Sequence, residues 1–196
     1  MKIFNSINIP KKYKASAVAI GNFDGIHKGH QKVFRETRKF AKRKKIKFGV
    51  LTFTPLPVMF FYKNIKNFRL TSEDQKIELF KKHQVDFVIK IKFDRKFSKI
   101  NANDFIKKII FNKMSPRSLS VSNNFRFGRK RKGDVNLLKK FSNKYSYRLL
   151  NISPLKYSNK IVSSTRIRKC LKKGNIDLAN KLLSRTWFID GQVKKG

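Results

Sequence analysis

"AIGNFDGIHKGH" runs from Ala19 to His30 and holds two of the three histidines in a chain of 196 residues, spaced among Gly21, Gly25 and Gly29. It continues the short apolar run "ASAVAIG" (Ala15–Gly21), which ends in glycine as a buried strand does. Past it, from Gly29 to about Lys45, Val33, Phe34, Phe40 and Ala41 fall on one helical face, while Lys32, Arg35, Lys39 and Lys42 take the other side. The histidines therefore stand in a turn between a strand and a helix.

The same alternation continues along the chain. "KFGVLTF" (Lys47–Phe53) reads as a strand, and "TPLPVMFFYKNIKNFRL" as an aromatic loop punctuated by proline and too long for a plain connector. "TSEDQKIELFKKH" opens with Thr71 or Ser72 as an N-cap and acids in its first turn, hence a helix. "VDFVIKI" (Val85–Ile91) is a strand and "NANDFIKKIIF" (Asn101–Phe111) a helix with a seam of Phe105, Ile106, Ile109 and Ile110. "RSLSVS" (Arg117–Ser122) is strand-like; a helix, "DVNLLKKFSNK", and a strand, "YRLLNIS" (Tyr147–Ser153), follow. "SSTRIRKCLKKG" and "NIDLANKLLSR" close the series as short helices, the first ended by Gly174. Five strands separated by helices predict parallel pairing through right-handed crossovers: an α/β, Rossmann-like open parallel sheet with helices on both faces. Such sheets bind ligands beyond the carboxyl ends of their strands. The loops Gly21–His30, Phe53–Phe61 and Ser122–Asp134 should meet at that rim.

Composition narrows the class. A hydrophobic content of 40% with 19 phenylalanines suffices for a core, and the length suits one domain, or one domain plus a fragment of another. The single cysteine, Cys170, excludes an intrachain disulfide framework and suits a reducing compartment. "MKIFNSINIP" lacks the features of a signal peptide, and no apolar run approaches the ~18 residues of a membrane span. The expectation is a cytoplasmic protein without a membrane partner. The net charge of +38 invites a nucleic-acid reading, but the basic residues are spread along the whole chain, the pattern of a solvated lysine-rich surface. Such a field also draws in small anionic substrates.

Chemically, the histidine turn lacks the third ligand that zinc requires: His83, Cys170 and a few acids are the other candidates, and no HExxH occurs. No metal site is predicted, and no G-x-S-x-G nucleophile elbow is present. Phosphate binding fits better. At a helix N-terminus, ring N–H groups join unpaired backbone amides and the positive dipole end, and Gly29 lets a phosphate approach the backbone. The stretch is not a Walker A loop.

"GNFDGIHKGH" resembles the H-x-G-H signature of nucleotidyltransferases, in the longer form found in the adenylyltransferase module of bacterial FAD synthetases. The resemblance implies that the turn holds the phosphates of ATP, with His27 and His30 steadying the transition state and Gly21, Asn22, Phe23, Asp24, Gly25 and Gly29 shaping the loop. Three more stretches match in order. "TFTPLP" (Thr52–Pro57) resembles the flavin-side loop, implying contacts from Phe53 and Pro55, although Leu56 stands where the family usually has histidine. "VSNNFRFGRKRKGD" (Val121–Asp134) resembles a second flavin element, with Asn124, Phe125 and Phe127 at the ligand; Ser122 replaces the family's glycine. "VSSTRIR" (Val162–Arg168) resembles a further phosphate element carrying Ser163, Ser164, Thr165 and Arg168. Taken alone, these stretches also read as a helix N-cap, as ordinary aromatic core, and as a basic loop without the RNP1 order of RNA-binding motifs.

The implied reaction joins ATP and FMN into FAD and diphosphate, with Mg²⁺ accompanying ATP. The alternatives are transfer to a pantetheine or nicotinamide nucleotide on the same fold, against which "NFRFG" and "TFTPLP" argue, and a basic nucleic-acid-binding protein. "TWFIDGQVKKG" (Thr186–Gly196) resembles the opening of the riboflavin kinase module of the same enzymes. That division implies an FMN adenylyltransferase domain over 1–185 and the start of a kinase module over 186–196 whose remainder is absent from this sequence. No riboflavin phosphorylation is then expected, and Trp187, Phe188 and Ile189 should lie on a strand lacking its partners.

Overall fold

In the computed structural model, which describes residues 1–62, 64–65 and 68–191, the alternation builds one sheet of six parallel strands. The strands are β1 (Lys2–Phe4), β2 (Ala17–Ile20), β3 (Phe48–Thr54), β4 (Phe87–Lys92), β5 (Ser118–Ser122) and β6 (Arg148–Ile152). Their order is β1-β4-β3-β2-β5-β6, so the chain reverses its direction of travel across the sheet between β2 and β5. Five of the six are the expected strands within a residue or two. β1 is the addition: three residues at an edge are too short to carry a readable alternation.

Period two decides what each face meets. Val18, Ile20, Leu51, Phe53, Phe87, Ile89, Leu119 and Val121 point to one face, where they pack with Ile106, Ile110, Met114 and Leu138. Ala17, Ala19, Phe48, Val50 and Val88 point to the other, against Val33, Phe34, Phe40 and Phe80. Both faces are covered, which is why the strands read as continuous apolar runs. The small β2 alanines give helix α1 (Lys28–Arg43) room to lie close, and α1 buries the expected Val33, Phe34, Phe40 and Ala41.

Between β3 and β4 the aromatic loop contains a short helix, α2 (Pro57–Phe61), where Pro57 occupies a first-turn position that its missing N–H suits. Helix α3 (Glu73–Lys82) starts at Ser72, whose hydroxyl accepts from the Gln75 amide while the Gln75 side chain accepts from the Ser72 amide, a capping box. Between β4 and β5, α4 (Arg95–Ser98) and α5 (Ala102–Asp104) lead into a π-helical stretch, Phe105–Met114, which buries Phe105, Ile106 and Ile110 of the predicted seam and leaves Ile109 partly buried. Helix α6 (Val135–Lys144) is capped by Asp134. After β6 a two-stranded hairpin, β7 (Lys156–Tyr157) and β8 (Lys160–Ile161), precedes α7 (Ser164–Lys172) and α8 (Ile176–Leu183). Leu70, Val162, Ile167, Cys170, Ala179, Leu182 and Leu183 form a third apolar cluster beside the sheet.

The expected strand at Trp187–Ile189 is not formed: residues 186–191 are irregular, and 192–196 lie outside the described residues. Trp187 instead packs on the third cluster. Its amide donates to Asn180 Oδ1 at 2.7 Å and its indole N–H to the Leu70 carbonyl at 3.0 Å. Those bonds satisfy Trp187 without a neighbouring strand, while Phe188 and Ile189 stay exposed.

Gly49 on β3 lies opposite Phe87 on β4, and a Cβ there would fall 2.2 Å from the Phe87 ring, which is fully buried. Gly49→Ala is expected to destabilise the fold by about 1–3 kcal/mol through overpacking. The measurement is urea unfolding, with a lower midpoint at an unchanged slope.

Candidate active site

The reversal of strand order opens a crevice at the carboxyl end of β2, where an open α/β sheet leaves room for a ligand. A cavity of about 1070 Å³ occupies it. The three predicted loops do meet there, joined by the start of α7. Gly21, Asn22, Phe23, Asp24, His27, Gly29 and His30 line it from the β2–α1 turn, Phe53 from β3, Asn124, Phe125 and Phe127 from beyond β5, and Ser163, Ser164, Thr165 and Arg168 from α7. Two predicted residues do not line it. Gly25 lies behind the turn, its amide donating to Thr71 Oγ1 at 3.3 Å, and Pro55 gives way to its neighbours Leu56 and Pro57.

The polar end is built from helix starts. His27 is the N-cap of α1: its Nδ1 accepts the His30 amide at 3.3 Å, which leaves the ring proton of the neutral imidazole on Nε2. The two imidazoles stack with centroids 3.7 Å apart, and the Phe23 ring meets His30 edge-on. Gly29 permits a close approach; a Cβ there would lie 3.1 Å from the His27 ring and 3.4 Å from the Val162 carbonyl just ahead of α7. The N-termini of α1 and α7 therefore bring their free amides and positive dipole ends into one crevice.

Burial, with Arg168 and Arg185 nearby, lowers the His27 pKa to about 4. His30 is also pushed well below its ordinary value, by burial first and then by His27 and Lys76. Both rings are neutral at pH 7 and act there as hydrogen-bonding groups, without formal charge. His30 Nδ1 is buried with no hydrogen-bond partner.

Asp24 and Arg168, read separately as phosphate-loop residues, are ion-paired to each other. Asp24 Oδ1 also accepts the Leu70 amide at 3.0 Å, and its carbonyl accepts the Ser164 hydroxyl at 2.8 Å. Burial pushes the Asp24 carboxyl up, against the opposite pull of Arg168 and the Leu70 amide. Arg168 Nε donates to the Phe68 carbonyl at 2.7 Å, and its guanidinium stacks 3.7 Å above the Phe68 ring. Ser163 caps α7, accepting the Arg166 amide at 3.2 Å. Asn124 accepts from the Ser122 hydroxyl at 2.7 Å, so this serine orients a cavity residue.

The opposite end is aromatic. Phe125 and Phe127 stack at 5.5 Å, Phe127 packs on Phe105, and Phe53 meets Phe93 and Phe97. Leu56, Phe61 and Tyr62 close the wall from α2 and its end. The sequence reading left out Phe68, Phe93 and Phe97, whose positions in loops and short helices carry no periodic signal. It also left out Lys76, which an amphipathic reading of α3 does reveal: it stands four residues before the buried Phe80.

Helix starts and a histidine pair at one end of a switch-point crevice, facing an aromatic wall, define an open α/β protein with an anion-binding crevice. A solved structure described as a macrolide-efflux protein from Streptococcus pneumoniae shares this fold, with a TM-score of 0.81 at 24% identity over 93% of this chain and 59% of that one. A profile of the FAD synthetase family matches residues 9–166, and the chain belongs to that family. Relatives described as bifunctional riboflavin kinase/FMN adenylyltransferase include one from Buchnera aphidicola subsp. Schizaphis graminum, 40% identical over all of this chain, and one from Escherichia coli K12, 31% identical over 91% of it. The chain spans 64% and 57% of the lengths of those two relatives.

Because folding holds His27 neutral, with a pKa of about 4 against 6.5 when free, the unfolded chain takes up the proton first as pH falls. Stability present above pH 6.5 is lost toward pH 4, by about 3 kcal/mol for this group. His27→Asn keeps a capping oxygen and removes the titration. Its unfolding free energy is expected to fall less steeply than wild type across that window; equal slopes would assign the loss to other groups.

Proposed function

We propose that the chain transfers the adenylyl group of ATP to FMN, giving FAD and diphosphate. The observation that carries this reading is the two-ended cavity: a polar end built on two helix N-termini and an aromatic end in one volume of about 1070 Å³. That is above the ~300–1,000 Å³ that commonly holds one small ligand, and so leaves room for two substrates end to end.

In this reading the ATP phosphates lie across the amides that open α1 and α7. An FMN phosphate oxygen attacks the α-phosphorus in line; the new P–O bond forms as the bond to diphosphate breaks. No enzyme nucleophile takes part, so the chain contributes position and hydrogen bonding. His27 and His30 donate to phosphate oxygens as negative charge builds, and the unpartnered Nδ1 of His30 is consistent with a ring held for substrate. Ser163, Ser164 and Thr165 act from the facing helix. Asp24 and Arg168 fix the turn against α7, while Phe53, Phe125, Phe127 and Asn124 receive the flavin. Among the described residues no three His, Cys, Asp or Glu side chains cluster to hold a metal ion, and Arg168 engages the Asp24 carboxylate. Mg²⁺ would arrive on the ATP phosphates as part of the substrate.

The reading extends to organisation. Residues 1–185 form the adenylyltransferase unit and 186–196 begin a second, riboflavin kinase, module. No described helix is long and apolar enough to cross a membrane. ATP as substrate and the single cysteine suit the cytoplasm.

Incubation with ATP, FMN and Mg²⁺ is expected to yield FAD and diphosphate in equal amounts, while 4′-phosphopantetheine and nicotinamide mononucleotide are poor acceptors. His30→Ala should lower the rate about 10²–10³-fold, the usual effect of losing one donor to a developing charge. Wild-type turnover by that variant, or equal use of the three acceptors, would sink the assignment.

A further inference from the structure

Behind the phosphate end of the cavity lies a buried amine. Lys76 on α3 is 3% exposed, and its Nζ donates to Thr52 Oγ1 at 2.9 Å. Thr52, on β3, donates in turn to the carbonyl of Asn22 at 3.1 Å. Asn22 is in the turn that carries His27, so the ammonium is two hydrogen bonds from that turn. Neither Lys76 nor Thr52 lines the cavity. Burying a lysine costs free energy unless its charge is used, and a hydrophobic side chain of similar volume would fill this place more cheaply.

We propose that Lys76 is a positioning residue for the nucleotide end of the site. Through Thr52 it fixes the Asn22 carbonyl, and its ammonium supplies positive potential behind His30, where the triphosphate is received. The assignment rests on the reading of the cavity as a nucleotide site. The titratable and charged groups facing Lys76 are Glu73 on its own helix, Asp24 in the β2–α1 turn, Arg69 ahead of α3, Lys90 on β4 and the neutral His30 on α1. Burial outweighs the two carboxylates and lowers the Lys76 pKa to about 8. Its cation in turn helps hold His30 neutral. A charge that acts by potential and by a hydroxyl relay leaves separable signatures.

The experiment follows the His30 ring by NMR titration without ligand and measures MgATP affinity by calorimetry, in wild type, Lys76→Met and Thr52→Val. In Lys76→Met the His30 midpoint should move up and ATP should bind about tenfold more weakly, the scale of one charge-assisted bond. Thr52→Val should weaken ATP binding while leaving the His30 midpoint in place. Wild-type affinity should fall as pH rises through about 8, and Lys76→Met should lose that limb. A folded Lys76→Met with an unmoved His30 and ATP affinity within about twofold of wild type would overturn the proposal. Should Lys76→Met fail to fold, Thr52→Val with wild-type affinity, or a flat wild-type profile from about pH 7 to about pH 9, would overturn it equally. The expected ATP results with no FAD formed would refute the acceptor reading and leave the role of Lys76 standing.

Discussion

The ion pair between Asp24 and Arg168 ties the turn after β2 to α7, 144 residues further along the chain. Asp24 also takes the Leu70 amide, and Arg168 takes the Phe68 carbonyl, so the segment before α3 is held by the same pair. Removing one partner would leave the other buried and uncompensated, which typically costs about 3–5 kcal/mol. The polar end of the cavity is built around this tie. It sets the distance between the two helix starts, and Gly29 is what allows them to come so near.

The surface charge and the site share an economy of acids. Against 49 basic residues the chain has 11 acidic ones, and the site and its supports use them sparingly and structurally. Asp24 holds Arg168, Glu73 holds Arg69, Asp86 accepts the Phe48 amide, and Asp94 and Asp134 cap helices. The cavity therefore keeps an excess of donors and cations, including Arg126, Lys130 and Arg131 along its lining. A field of this sign favours anionic ligands and works against cationic ones.

Much of this was legible from residues alone. The strand-turn-helix at Ala19–His30 followed from an apolar run, a glycine and a helical stripe, and the parallel sheet followed from repetition of that unit. The convergence of loops followed from the rule for open sheets. Partnerships between distant residues were not legible. Sequence order says nothing of whether Arg168 meets a phosphate or Asp24, because that depends on how α7 packs against the turn. Edge strand β1 and the hairpin β7–β8 were missed because two or three residues carry no period. Trp187 docks without a strand because its neighbourhood offers two bond acceptors, Asn180 Oδ1 and the Leu70 carbonyl, and an apolar cluster to cover.

The proposed reaction is a single displacement at phosphorus in which no side chain acts as nucleophile. The stereochemistry of transfer tests it most directly. With the Sp isomer of adenosine 5′-O-(1-thiotriphosphate) and FMN, the account predicts a thio-FAD inverted at the transferred phosphorus. Retention would mean two displacements and a covalent adenylyl-enzyme, and would contradict it.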